Sequence, residues 1–147
     1  TTGMADGKVI VTGGRVLTGG TYGQWITLSN VDVYDPSTGT WSAGAPMTEV
    51  RVKHAAVLLP DGKVLVVGKQ VAESYDPASG AWVPAGEMTR DHTEGVTATL
   101  LNDGRVLIAG GREGSEKSDQ KLQVGGTGMI VSEIYDPASG LWSKAGN

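Results

Sequence analysis

His54 and His92 are the sequence's two imidazoles, and no cysteine supplies a thiolate. A nitrogen–sulfur metal centre would need both histidines in one place, yet they fall at non-equivalent positions of two similar segments. Asp91 and Glu94 lie beside His92, but neighbouring acids alone do not define a cation site. Glu113, Glu116 and Asp119 lack the spacing of a calcium loop. There is no Gly-x-Ser-x-Gly elbow, no phosphate-cradling loop, and no carboxylate pair that stands out from the surface charge. The residue set implies no cofactor and no catalysis.

Binding chemistry is better represented. One segment, residues 15–30, sets Arg15, Tyr22, Gln24 and Trp25 among glycines, a mixture of flat aromatic and adaptable polar groups suited to a protein or a carbohydrate. The conservative expectation is that Trp25 and Ile26 fold back over neighbouring structure. A second segment, residues 112–129, begins with Arg112 and Glu113 and mixes both signs of charge. It reads first as a solvated loop and second as a contact loop.

The elements that must carry these segments are strands. Gly accounts for 23 of 147 residues, over twice the usual share of about 7%. Apolar residues come in short runs such as Val64-Leu65-Val66-Val67, bounded by Gly, Pro and Asp, and no dozen residues show helical periodicity. The chain is expected to be all-β. A net charge of −4 with scattered basic residues gives no electrostatic case for nucleic acid. No run of 18 apolar residues offers a membrane-inserting helix.

Three copies of one string organise the whole. Tyr34-Asp35-Pro36-Ser37-Thr38-Gly39-Thr40-Trp41 returns with Tyr75, Asp76, Gly80 and Trp82, and again with Tyr135, Asp136, Gly140 and Trp142. Asp binds backbone N–H groups ahead of it, Pro presets φ, and Gly closes the turn with φ > 0. Between the copies, Asp6-Gly7, Asp61-Gly62 and Asp103-Gly104 each precede an apolar run, which predicts type I′ hairpins. Each unit then has four antiparallel strands in about 40–50 residues, the signature of a propeller blade. Trp41, Trp82 and Trp142 are expected to be buried between blades.

The order Gly-Gly, Tyr-Asp-Pro-x-x-Gly-x-Trp, Met47-Thr48-x-x-Arg51, His54 and Asp-Gly-Lys-Val-Leu closely resembles kelch repeats of the bacterial type. The resemblance implies a kelch-type β-propeller segment of three four-stranded blades, at about 1–46, 47–87 and 88–147, and makes His54 a structural residue with its hydrogen bonds met under the blade. Five residues precede Asp6, so blade 1 is expected to lack its first strand. Propellers typically close with about four to eight blades. The first expectation is therefore a piece of a longer chain with additional blades; the second is self-association. The repeats also resemble the propeller of galactose-oxidase-like proteins, without the cysteine their copper and Tyr-Cys set requires. The resemblance implies a non-catalytic binding or structural module. The alternatives are the propeller of a larger secreted oxidase or glycan-processing enzyme, or a subunit of an extracellular assembly. It also favours a secreted or cell-surface location.

Overall fold

The computed structural model describes residues 1–19, 23–90, 92–112 and 132–145. In the first third the strands are β1 (Thr2–Gly3), β2 (Val9–Thr12), β3 (Arg15–Thr18), β4 (Gln24–Thr27), β5 (Val31–Asp35) and β6 (Thr40–Ala43). The second third holds β7 (Ala55–Leu58), β8 (Val64–Val67), β9 (Val71–Asp76) and β10 (Ala81–Glu87). The last holds β11 (Thr93–Leu100), β12 (Val106–Arg112), β13 (Ser132–Asp136) and β14 (Leu141–Lys144). Three four-stranded antiparallel sheets result, β1-β2-β5-β6, β7-β8-β9-β10 and β11-β12-β13-β14, with β3 and β4 paired separately. The first strands of successive sheets are neighbours, β1 beside β7 and β7 beside β11. This is part of a β-propeller. The first strand that blade 1 was expected to lack is present in residual form, two residues pairing Thr2 with Ile10 and Gly3 with Val9.

The Tyr-Asp-Pro string forms the same turn three times. Asp35 accepts the backbone N–H of Ser37 at 2.9 Å, Asp76 that of Ala78 at 2.9 Å, and Asp136 that of Ala138 at 3.0 Å. Hydrogen bonds from the Ser37 hydroxyl and then its N–H hold the Asp35 carboxyl below the usual carboxylate range. Gly39, Gly80 and Gly140 close the turns with φ near +70°. Across each turn the Tyr and Trp rings pair at 4.9–5.1 Å. The Asp-Gly turns differ from the expected type I′. Gly62 donates back to Leu59 at 3.0 Å and Leu59 to Lys63 at 2.8 Å. Gly62 has φ +86° while Asp61 does not enter the positive-φ region. The loop is the three-residue kind, a type I turn closed by one left-handed Gly.

Two cores lie between the sheets. Ile10 and Val31 of blade 1 pack with Val64, Val66 and Tyr75 of blade 2. Leu65 and Val67 pack with Val106, Ile108 and Tyr135 of blade 3. Strand β8 is thus covered on both faces, and all four of its side chains are fully buried. An uninterrupted apolar run is the sequence of a strand with no solvent side.

Candidate functional site

The segment after β2 is a β-ribbon that stands apart from the blade. Arg15 pairs with Thr27, Val16 with Ile26, Leu17 with Trp25, and Thr18 with Gln24. The Thr18 hydroxyl donates to the Gln24 carbonyl at 3.2 Å. At its base Leu28 donates to the Gly14 carbonyl at 2.8 Å, which ties the ribbon to the end of β2. Alternation puts Leu17 and Trp25 on one side and Val16 and Ile26 on the other. All four are exposed, Trp25 by 57%. The Arg15 guanidinium lies 4.4 Å from the centre of the Trp25 ring, a cation–π contact that fixes the indole's orientation.

This overturns the expectation that Trp25 and Ile26 fold back over a neighbouring blade. Pairing Arg15–Thr18 with Gln24–Thr27 gives the ribbon a sheet of its own, separate from the blade, and leaves its side chains exposed on both faces. Of the candidate binding residues, Arg15, Gln24 and Trp25 come together on this ribbon. Tyr22 lies outside the described residues, as do Glu113, Asp91 and nearly all of 112–129. Arg112 ends β12, where its backbone pairs with Thr93. β12 corresponds to β2 in its sheet, so the segment after it leaves the same end of an equivalent strand.

The joints between blades carry the chain's buried polar chemistry. At the first, Glu73 on β9 accepts the N–H and hydroxyl of Thr48 at 2.8 and 2.7 Å, and the Arg51 Nη2 at 2.8 Å. Arg51 and Glu73 are each 1% exposed. Burial pushes the Glu73 carboxyl up, but the bonds from Thr48 and Arg51 outweigh it and leave the group below its ordinary range. At the second joint, Glu133 on β13 accepts from the Thr89 N–H at 2.8 Å and faces the His92 Nε2 at 3.0 Å. His92 Nδ1 sits 2.7 Å from the Gly110 carbonyl; a carbonyl only accepts, so this nitrogen carries its hydrogen.

Neither glutamate was among the residues singled out from sequence. The signal was available, because each stands two residues before the repeated Tyr. The two histidines are not counterparts. Arg51 follows Met47 by four residues as His92 follows Met88, so His92 matches Arg51. His54 instead bonds the Thr12 hydroxyl through Nε2 at 2.8 Å, with Nδ1 buried and unpaired. Its expected satisfaction is therefore half met. Burial, and then the Arg51 charge, lower its pKa to about 4. Among the described residues, no three His, Cys, Asp or Glu side chains converge to hold a metal ion.

The repeated Trp residues also divide. Trp82 Nε1 donates to the Ala45 carbonyl at 2.8 Å and Trp142 Nε1 to the Ala85 carbonyl at 2.7 Å, each reaching the preceding blade. Both are half-buried. Trp41 is 61% exposed, a correction to the expectation that all three are buried. It has the same ring partner and the same turn, but among the described residues no blade lies on its side.

On the opposite rim, Pro60, Asp61, Asp103, Gly104, Asp136 and Pro137 line an open cleft of about 290 Å³. Asp61 and Asp103 are already paired with Lys63 and Arg105 at 2.9 and 2.6 Å, so the cleft presents little free charge.

Comparison with known proteins agrees with this architecture. A family model described as "Kelch motif" matches residues 1–48. The human Kelch-like protein 23 is 33% identical over 157 aligned residues, covering 80% of this chain and 28% of that protein. Kelch-like protein terF of Aspergillus terreus is 30% identical, covering 60% of this chain and 22% of that protein. The chain thus spans about a quarter of the length of these relatives. Among solved structures, a copper-bound fungal alcohol oxidase of the AA5 family superposes with a TM-score of 0.67 over 95% of this chain and 28% of the other. At 18% identity that likeness concerns the fold.

Proposed function

Because this chain is made of kelch repeats folded as part of a β-propeller, we propose that it is a non-catalytic module that binds another protein through the β3–β4 ribbon. The observation that carries this reading is the exposure of Val16, Leu17, Trp25 and Ile26 on a ribbon that pairs with itself and stands apart from the blade. Exposed apolar side chains grouped on a rigid projection mark contact surfaces. Trp and Arg are the side chains that most often dominate such contacts, and here Arg15 already orients Trp25. A protein suits the surface better than a carbohydrate. Leu17 shares the face of Trp25, while Val16 and Ile26 make the other face apolar as well, and a protein can cover aliphatic surface on both sides that would leave a sugar's hydroxyls dry and unpaired.

The experiment compares the intact chain with the Leu17→Ala/Trp25→Ala double variant. Each is immobilised and exposed to extract of the source cells and, separately, to a glycan array. One protein retained in fixed stoichiometry by the parent, and at least tenfold less by the variant, supports the reading. Retention that ignores the substitutions, or capture confined to glycans, overturns it.

A further inference from the structure

One place in the first joint is titratable where its counterpart in the second is not. In register His54 falls opposite Gly68 as Val96 falls opposite Gly110, and Thr12 holds in β2 the place of Val67 in β8. Val67 and Val96 share an apolar core. Thr12 and His54 instead share a hydrogen bond of 2.8 Å. The imidazole sits on Gly13. A Cβ there would meet the His54 Cε1 at 3.1 Å and the Arg51 carbonyl oxygen closer still, so both press on one side of that glycine. Arg51 bridges the two ends of the ribbon, taking the Gly14 N–H at 2.8 Å and giving its own N–H to the Leu28 carbonyl at 3.0 Å. Between Arg51 and His54 stands Lys53. Its φ of +57° makes it, among the described residues, the sole non-glycine in the left-handed region. Such a backbone persists only while the structure on both sides holds it.

We infer that Thr12, His54 and Lys53 form an acid-released latch that holds the Arg51 carbonyl of the linker against the base of the β3–β4 ribbon. A neutral imidazole carries one N–H, which Thr12 can accept at Nε2, and it leaves a bare lone pair at the buried Nδ1. A protonated one carries two, and Nδ1 then holds a buried N–H without an acceptor. The charges acting on the ring are the Arg51 guanidinium, itself paired with Glu73, and the amino group of Thr1. Both cations oppose a third. Protonation therefore expels the ring from its slot. With His54 released, Lys53 returns to an extended backbone, which draws the linker carbonyl away from Gly14. The Arg51 side chain stays on Glu73 at 2.8 Å, so the blade joint remains closed. The latch opens before the fold does.

The released ring takes its ordinary pKa of 6.5, against about 4 in the slot. The open form thus binds the proton more tightly and gains as pH falls through this window, by at most about tenfold per pH unit and by less for a ring that is partly exposed. Amide hydrogen exchange of the intact chain, followed by NMR at pH 6.5 and 4.5, reads the latch at the Gly14 N–H. Leu65, fully buried in β8, reports unfolding of the whole. The expected result is a Gly14 protection factor at least about fivefold lower at pH 4.5 than at 6.5, and there at least about tenfold below that of Leu65. The Thr12→Val/His54→Val variant copies the valine pair of the second joint and should hold Gly14 within about twofold across the same range. Lys53→Gly leaves every side chain of the joint in place and removes the cost of the positive φ. It should protect Gly14 at least about threefold better at both pH values. Equal protection of Gly14 and Leu65 at pH 4.5 would mean that exchange needs the whole fold to open, and would overturn the latch. So would a Gly14 protection that does not change with pH. A loss that persists in the valine variant overturns the assignment to His54, and unchanged protection in Lys53→Gly overturns the part given to Lys53.

Discussion

Arg51 and His92 occupy equivalent points of two successive blade joints, each turning a nitrogen onto the glutamate of the blade that follows, Arg51 onto Glu73 at 2.8 Å and His92 onto Glu133 at 3.0 Å. The joint keeps its acid and its Thr and exchanges the nitrogen-bearing side chain that faces them. At the first joint the guanidinium also reaches the Val71 carbonyl at 2.6 Å.

Removing one partner of that pair strands the other. Arg51→Ala should cost about 3–5 kcal/mol, because Glu73 is left buried and charged. Arg51→His should recover part of the loss, since the second joint is built that way. Urea unfolding of the two variants measures both, and an Arg51→Ala loss below about 1 kcal/mol would contradict the pairing.

The indole bonds separate from the ring packing by substitution. Trp82→Phe removes the N–H that reaches the Ala45 carbonyl and should cost about 1 kcal/mol. Trp82→Ala also removes the ring from the joint and should cost about 3 kcal/mol. Chemical denaturation of the two variants resolves the difference.

Acid should weaken the fold before most carboxylates titrate. His54 has a folded pKa of about 4 against an ordinary 6.5, so between those values the unfolded chain binds more protons and stability rises with pH. Lowering pH from 7 to 4 should remove roughly 2 kcal/mol through this residue, allowing for its partial exposure. The depressed Glu73 carboxyl adds to the loss once pH falls through its folded value. Melting temperatures of the parent and His54→Asn across this range should converge as pH drops.

Gly13 should tolerate no side chain. It sits at φ +59°, and a Cβ there would lie 2.4 Å from the Arg51 carbonyl oxygen. Gly14 donates to that same carbonyl at 2.8 Å, so the Gly-Gly pair is where the linker docks. Gly13→Ala should cost at least about 2 kcal/mol, whereas Gly39→Ala, with open space around it, should show the positive-φ penalty alone. Equal losses for the two would mean that the linker yields freely.

How much of this was legible in the sequence follows from what repetition can and cannot encode. Tyr34, Tyr75 and Tyr135 with their Asp, Gly and Trp partners announced three equivalent hairpins, because a turn is built from neighbours in the chain. The strand order followed from the same spacing. The joints did not announce themselves. Glu73 and Thr48 meet across 25 residues, and a lone acid in a strand looks like a solvent-facing residue until its donor is placed. Arg51 and His92 differ in residue type, which hid their common place four residues after Met47 and Met88. The fate of Trp41 was hidden for another reason, since its surroundings depend on a blade and not on its own eight residues. Trp25 was visible as a candidate, but its orientation rests on the pairing of β3 with β4, which the glycines around it concealed.

The indole bonds run one way along the polypeptide. Trp82 reaches back to Ala45 and Trp142 to Ala85, and Glu73 and Glu133 take donors that precede them in sequence. A chain emerging from the ribosome therefore always presents the acceptor carbonyl and the linker first, and the tryptophan and glutamate that grip them afterwards. Each seam can close as its second half is made, without waiting for residues still to come. The direction of synthesis and the direction of the ties coincide.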